Sequence, residues 1–392
     1  MDKEIIGLEL AYKTSNYGAQ LQAFATQQVV GKMGFSTKIF DHEKRISFAS
    51  HTFGPGFLYN LFLNKKQNRI RLKTRVNISD TEYLENREAR RSAYKQFIDK
   101  HLTGVTHYSS YDELVEDCKS MKAVMIGSDQ KWTPGFCYRK ISSLDFVPKN
   151  VRRISYATSL GVSEYPKYCR YLSGKMWKKI DFLSVREKQG AKIIREICGD
   201  IPVEVVVDPT YLMTKKEWEE LIPVKKKMDA PYVFCYFLGN NDDSKRCARR
   251  FADKNKLKLV SVMSDESFSP YDKEYADVLV KGESPEDFIN WIRGAAYIFT
   301  DSFHGTAFSV INEKQFFVFY RKRVDASLNR NSRIDNILSL WEINNRLITN
   351  NDVEWNAFQF DIIDYSKVNM IVSRERARSL NFLKKALTFD EN

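Results

Sequence analysis

The amino-acid sequence predicts an α/β protein made of two parallel-sheet halves. Three observations carry that reading. The chain opens as strand, helix, strand. A series of short apolar runs follows, each stopping at polar or small residues. A second series of the same kind begins after Asp208-Pro209. An alternating strand–helix pattern favours a parallel sheet with its ligands beyond the strand C-termini. At 392 residues the chain is too long for one ordinary core and suits two domains of roughly 150–200 residues.

Taken in order, Glu4–Tyr12 reads as a buried strand and Lys13–Gly18 as a loop. Ala19–Lys32 has helical character, closed by Gly34, and Ser36–Asp41 reads as the second strand. From Ser47 to about Asp80 the sequence resists assignment. It contains Phe53-Gly54-Pro55-Gly56-Phe57 and a strongly basic stretch, and reads as an excursion of loops and helix. Glu82–Leu102 is helical. Strands at Ala123–Gly127, Ile154–Ala157, Phe182–Val185 and Val203–Val207 stop at Ser128, Thr158, Arg186 and Asp208. Pro209 cannot extend a strand, so the domain boundary is set there. The second half reads as strands at Tyr232–Phe237, Leu257–Met263, Tyr297–Thr300 and Gln315–Tyr320. Helices are expected near Lys215–Leu221, at Ser244–Lys254, Pro285–Ala295 and Ala307–Glu313. The expected domains are 1–208 and 209–365, with a basic helix over 366–392 packing back on the first.

Composition excludes several classes. The chain is 43% hydrophobic and 29% charged, which is the balance of a soluble globular protein, and it has no repeat or low-complexity stretch. No apolar run reaches the roughly 20 residues of a membrane span, and Met1–Leu10 lacks the pattern of a secretion signal, so a cytoplasmic location is expected. The six cysteines are scattered without metal-ligand spacing and read as reduced, buried thiols. The net charge of +12 favours an anionic partner. Basic runs lie at Lys65, Lys66, Arg69, Arg71, Lys73 and Arg75, at Arg87, Arg90 and Arg91, and at Arg374, Arg376, Arg378, Lys384 and Lys385. Such runs are usually solvated helix faces. They also suit peripheral contact with an anionic membrane surface. No RNA-recognition or helix-turn-helix signature is present, so nucleic acid is not expected.

Four constellations have chemical content. In Asp301-Ser302-Phe303-His304-Gly305-Thr306 a strand ends and a helix begins, which offers free N–H groups to a phosphate or carboxylate. Ser302 and Thr306 add hydroxyls, His304 a titratable ring, and Gly305 room for close backbone approach. Asn16-Tyr17-Gly18 repeats that layout in the first half, where it is either a turn or an anion- or acceptor-binding loop. Gly127-Ser128-Asp129-Gln130 sets a carboxylate beyond a buried strand, suited to general acid–base work or to helix capping. Arg186 follows a strand and can hold a carboxylate or phosphate bidentately, or pair locally with Glu187. Arg321, Lys322, Arg323 and Arg333 follow the strand Gln315–Tyr320 and can reach the same crevice. There is no GxxxxGK[ST] loop, no GxGxxG, no GxSxG elbow and no strand-end DxD pair, which removes those nucleotide and hydrolase devices.

Six segments in this order resemble the polysaccharide pyruvyl transferase family: NYGAQLQAFATQ (Asn16–Gln27), VMIGSDQKWTP (Val124–Pro134), RRISYATSLG (Arg152–Gly161), LSVREKQG (Leu183–Gly190), VVDPTYLM (Val206–Met213) and FTDSFHGTAFSV (Phe299–Val310). The resemblance implies a fold like the GT-B glycosyltransferases, two facing Rossmann-like domains with the site between them. It implies phosphoenolpyruvate as donor, a sugar or lipid-linked oligosaccharide as acceptor, and a cyclic pyruvate ketal on a bacterial surface polysaccharide as product. It also implies that His304 and Arg186 hold the donor's phosphate and carboxylate, with Ser302, Gly305 and Thr306 lining that pocket and Arg333 as a further cation. Asn16, Gly18, Ser128, Asp129 and Gln130 would face them near the acceptor. Asp129, His304 and Arg186 are the expected catalytic residues, with no metal and no cofactor. The match is weakest at Ser47–Leu102 and after Arg333. The competing reading is a GT-B-like glycosyltransferase with a nucleotide-sugar donor.

Overall fold

The computed structural model describes residues 3–42, 57–59, 61–63, 65, 80–239, 241–264, 269, 271–321, 331–349, 353–355 and 360–388. Lys66, Arg69, Arg71, Lys73, Arg75, Lys322 and Arg323, and the segment 53–56, lie outside the described residues.

Seven strands form the first sheet: β1 (Ile5–Glu9), β2 (Ser36–His42), β3 (Val105–Tyr108), β4 (Ala123–Ile126), β5 (Arg152–Thr158), β6 (Phe182–Val185) and β7 (Glu204–Val205). Their order is β3-β2-β1-β4-β5-β6-β7. Six strands form the second: β8 (Tyr232–Tyr236), β9 (Lys258–Val262), β10 (Val278–Val280), β11 (Tyr297–Thr300), β12 (Gln315–Phe319) and β13 (Leu347–Ile348), in the order β10-β9-β8-β11-β12-β13. Every pairing is parallel. In each sheet the order reverses beside the first strand, between β1 and β4 and between β8 and β11. That reversal opens a crevice beyond the strand C-termini. The central strands are wholly buried, β4 and β8 at every residue, as expected for sheets covered on both faces. β3, β10 and β13 lie at sheet edges, are two to four residues long, and carry no sequence pattern strong enough to announce them. β7 is shorter than the run Val203–Val207 suggests: Glu204 and Val205 pair with β6, and the ladder closes with the Val206 amide on the Val185 carbonyl at 3.0 Å.

Helix α1 (Tyr17–Lys32) is buried on nearly every side. An α-helix without a polar face lies between two packed bodies, and α1 is the helix that joins the two domains. Tyr17 stacks on Phe288 of the second domain at 4.7 Å and 9° between planes, and its hydroxyl donates to the Glu283 carbonyl at 3.1 Å. Among the polar residues of α1, Gln27 is satisfied on both sides of its amide. Gln27 Nε2 donates to Thr37 Oγ1 at 2.9 Å, and Gln27 Oε1 accepts from the Thr103 amide at 3.0 Å. Helix α2 (Thr81–His101) adds to the seam: Asn86 accepts from the Gly282 amide at 2.9 Å and Arg90 donates to the Met263 carbonyl. One buried cluster contains side chains of both sheets, so the core is continuous across the seam.

Between α2 and the crossover the first domain carries α3 (Tyr111–Cys118), α4 (Lys167–Trp177) and α5 (Lys188–Cys198). The second carries α6 (Lys215–Leu221), α7 (Asp242–Lys254), α8 (Asp272–Tyr275), α9 (Pro285–Gly294), α10 (Phe303–Ile311) and α11 (Ser332–Leu340). The last helix, α12 (Tyr365–Thr388), crosses both. Tyr365 donates to the Ser309 carbonyl of the second domain at 3.4 Å. Ser379 Oγ accepts from the Val207 amide at 3.0 Å, and Arg152 donates to the Ala386 carbonyl at 3.0 Å.

Two of the basic residues of α12 also bond to backbone at the end of the first domain and the turn after it. Arg376 donates to the Tyr211 carbonyl at 2.7 Å, and Arg378 to the Val205 carbonyl at 2.5 Å. The helix register turns this side of α12 toward the first domain. No helix among the described residues is long and apolar enough to cross a membrane.

Candidate active site

The residues singled out in the two halves meet where α1 and α10 begin. Both helices start with a side-chain cap. Asn16 Oδ1 accepts from the Ala19 amide at 3.2 Å, and Ser302 Oγ from the Gly305 amide at 3.2 Å. Gly18 lies against the His304 ring: a Cβ at Gly18 would overlap Nδ1. The small residue of one motif therefore makes space for the imidazole of the other. Gly305 has a different reason to be small, since a Cβ there would meet Thr300 Oγ1 at 2.5 Å. Thr306 Oγ1 donates back to the Ser302 carbonyl at 3.0 Å and is fully buried.

At the centre lies Asp208, 1% exposed. It caps the turn Pro209–Leu212, its Oδ1 accepting from Thr210 N at 3.1 Å and Thr210 Oγ1 at 2.9 Å. Its Oδ2 accepts from Ser128 Oγ at 2.8 Å and Arg186 Nη1 at 2.7 Å, and lies 3.7 Å from His304 Nε2. Burial alone would raise the Asp208 carboxyl. The facing His304 ring and the Arg186 guanidinium outweigh it and hold the group far below the usual carboxylate range. Arg186 is 2% exposed, and burial works against its charge. Glu187, Asp208 and Asp129 more than compensate, so it stays firmly protonated. Its Nε donates to Glu187 Oε1 at 3.2 Å, and Glu187 Oε1 also accepts from Ser159 Oγ at 2.7 Å. The guanidinium lies over the Phe303 ring at 4.1 Å, so the residue before His304 fixes the arginine plane across the seam.

The second domain supplies further cations. Arg333 opens α11 and is 9% exposed. Burial and the neighbouring Arg186 and Arg321 guanidiniums push it down to about 9, with Glu187 and Asp129 opposing. Arginine stays charged in proteins, so the direction reads as crowding of positive charge. Arg321 lies near Asp301, Nε to Oδ2 at 3.6 Å, but Asp301 is committed to the Leu238 and Gly239 amides at 2.7 and 2.8 Å. Asn336, one turn after Arg333, donates to the Arg186 carbonyl at 3.4 Å and accepts from the Lys188 amide at 3.2 Å, which locks α11 onto the first domain.

Three buried donor atoms of this cluster have no hydrogen-bond partner among the described residues: Arg186 Nη2, His304 Nε2 and Arg321 Nε. The carboxylates around them are occupied by other donors. The arrangement is suited to receive a small polyanion.

The structure brings together His304, Arg186, Ser128, Asp208, Gly18 and Arg333. Asp129 stands at the edge of the group, half-buried and left-handed at φ 74°, with its carbonyl holding the Ser159 and Lys131 amides at 2.9 Å each. Gln130 packs on Gly161. Some expectations shift. The side-chain oxygens of Asn16 and Ser302 accept from their own helices' amides, while Gly305 and Thr306 pack within α10. Ser128 serves Asp208. The sequence places Asp208 at a strand end and at the domain boundary without singling it out as a site residue. Its signal was present, because it ends an apolar run as Ser128, Thr158 and Arg186 do.

Solved structures of other proteins have a similar fold. A UDP-glucosyltransferase from Polygonum tinctorium capable of glucosylating indoxyl matches with a TM-score of 0.51 at 10% identity, over 100% of this chain and 99% of that one. MnaA of S. aureus, solved with UDP, matches with a TM-score of 0.49 at 11% identity, over 98% and 91%. At such identities the likeness concerns the GT-B-like fold alone. No curated protein matches the sequence. The family model described as polysaccharide pyruvyl transferase spans residues 16–323, from the Asn16 cap through the His304 loop, and the chain belongs to that family.

Proposed function

We propose that the protein transfers the pyruvyl group of phosphoenolpyruvate to a pair of hydroxyls on a saccharide acceptor as a cyclic ketal, releasing phosphate. The observation that carries this reading is the set of buried nitrogens without a hydrogen bond, Arg186 Nη2, His304 Nε2 and Arg321 Nε, the last two only in long contact with Asp208 and Asp301, beside Arg333. Phosphoenolpyruvate presents a carboxylate and a phosphate a few ångströms apart, and a split set of guanidinium and imidazole donors matches it.

The chemistry balances as follows. An acid adds a proton to the methylene carbon, leaving positive character on the carbon that bears phosphate. One sugar hydroxyl bonds there and gives up its proton. The C–O bond to phosphate then breaks and phosphate leaves with its electron pair. The second hydroxyl closes the ring, and its proton ends on phosphate. His304 and Asp129 are the proton-transfer groups of this reading. Arg186, Arg333 and Arg321 stabilise the departing phosphate. The steps call for no metal and no cofactor.

The test is twofold. Phosphoenolpyruvate raises the thermal midpoint, by about 2.7 kcal/mol of stability at a hundred times its Kd, and UDP-sugars do not. Phosphate release becomes acceptor-dependent, and His304→Gln and Arg186→Lys each lower it by about 10²-fold. Stabilisation by UDP-glucose and not by phosphoenolpyruvate would replace this reading with a nucleotide-sugar transferase.

A further inference from the structure

A second polar cluster lies beyond the C-terminal ends of β1, β2 and β4, away from the arginines. Glu9 closes β1 and is 3% exposed. Its Oε1 takes the Lys131 ammonium at 2.7 Å. His42, which ends β2, brings Nε2 to 3.4 Å from Oε2 without forming a hydrogen bond. Tyr12 is 3% exposed, and Glu9 and Asp41 both act on its hydroxyl. Three buried polar atoms here lack a hydrogen-bond partner among the described residues: Glu9 Oε2, Tyr12 Oη and His42 Nδ1. A buried ion pair is tolerable when its remaining lone pairs and protons are satisfied, and an orphaned buried polar group is costly. Three orphans around one carboxylate are not what internal stability would select.

Place and charge narrow the ligand. The Glu9 carbonyl accepts from the Gly127 amide at 3.1 Å, which sets the cluster on the crevice where the sheet order reverses. Lys131 stands two residues after Asp129, so one loop joins this cluster to the arginine cluster. Burial opposes the charge of Glu9, but Lys131 and His42 keep its carboxyl below the usual range. It is therefore an acceptor that needs an incoming donor. Asp41, paired with Lys13 and His107, adds a second carboxylate. Each carboxylate is already paired with a lysine, so the cluster carries little net charge and suits a neutral ligand. A neutral polyol both donates to Oε2 and accepts from a phenol or an imidazole N–H.

We propose that Glu9 Oε2, Tyr12 Oη and His42 Nδ1 form the subsite that binds the hydroxyls of the acceptor sugar. The inference rests on the transfer reading above. Tyr12→Phe is the cleanest variant, since the hydroxyl it removes has no hydrogen-bond partner among the described residues and its loss is expected to leave the fold intact. Glu9→Gln keeps the shape and removes the charge. The experiment is saturation-transfer NMR of the full chain against a panel of p-nitrophenyl hexopyranosides, alongside the thermal shift with phosphoenolpyruvate. The expected result is transfer from the ring protons of at least one hexoside, weakened at least ten-fold in each variant, with the phosphoenolpyruvate shift unchanged. Equal binding by wild type and Tyr12→Phe overturns the subsite, as does a wild type that binds no hexoside. If Glu9→Gln fails to fold, Tyr12→Phe decides alone. Failure of phosphoenolpyruvate to stabilise the wild type removes the donor assignment and leaves the sugar result standing.

Discussion

At Gly18 the backbone of α1 lies flat against the His304 ring, and any side chain there would enter the imidazole. Gly18→Ala is expected to displace His304, lower turnover by about 10²-fold and destabilise the fold by about 1–3 kcal/mol, the usual consequence of overpacking. Steady-state kinetics and denaturant melts read the two effects separately. Asp208 governs the other side of the ring. Because its carboxyl is held far down in the folded state, the stability it contributes is complete above about pH 4, where the unfolded carboxyl is ionised. As pH falls below that, the unfolded chain takes up the proton first and the contribution is lost progressively toward the much lower folded value. Asp208→Asn should therefore flatten the acid side of the stability–pH curve. At neutral pH it should cost about 3 kcal/mol, because the buried Arg186 loses one of its two carboxylate partners and keeps only Glu187. A variant as stable as the wild type would contradict the central role given to this carboxylate.

At the scale of elements, α12 ties the second domain back to the first. Its apolar residues Val368, Val372, Leu383, Ala386 and Leu387 are buried, and Ser379 is the acceptor for the otherwise unserved Val207 amide at the end of the first sheet. Ser379→Ala leaves that buried N–H without a partner and is expected to lower stability by about 1–3 kcal/mol, measured by chemical denaturation. Val207 immediately precedes Asp208, so the same variant should also loosen the site and reduce phosphoenolpyruvate-dependent stabilisation. The basic character of α12 is thus partly structural. Arg376 holds the Tyr211 carbonyl at the turn between the domains and Arg378 the Val205 carbonyl of β7, while the Arg378 side chain stays exposed.

Across the whole molecule, each domain places its reactive loops at the reversal of strand order, and α1 brings the two reversals together. The aromatic seam of Tyr17 on Phe288, the Asn86–Gly282 bond and the Asn336 clasp on Arg186 set the two edges at one distance. A site divided in this way draws its donor-binding groups from both domains. The second domain contributes His304, Arg321 and Arg333, the groups proposed to hold the donor. The first contributes Arg186, which joins them on the donor, together with Asp129 and the Glu9 cluster, where a neutral acceptor is proposed to bind.

Much of this was legible in the residues alone. Strand-length apolar runs ending at Ser128, Thr158, Arg186 and Thr300 determine the alternating α/β pattern, since a buried parallel strand must be apolar throughout and must stop where the polar crevice begins. The SFHGT turn declares itself by chemistry, because Ser, His, Gly and Thr at a strand-to-helix junction combine a cap, a titratable ring and close backbone approach. The edge strands β3, β10 and β13 were beyond reach, being too short and too exposed for periodicity to show. Pairings across the chain were equally invisible. Nothing local in Gly18 speaks of His304, 286 positions away. Nothing in Glu9, one acid among the 50 Asp and Glu, marks it as a buried carboxylate with an unserved oxygen. Sequence pattern determines which residues lie at strand ends, because that depends on near neighbours. Which of those ends face one another, and which of their polar atoms remain unpaired, was decided by the packing of two sheets around α1.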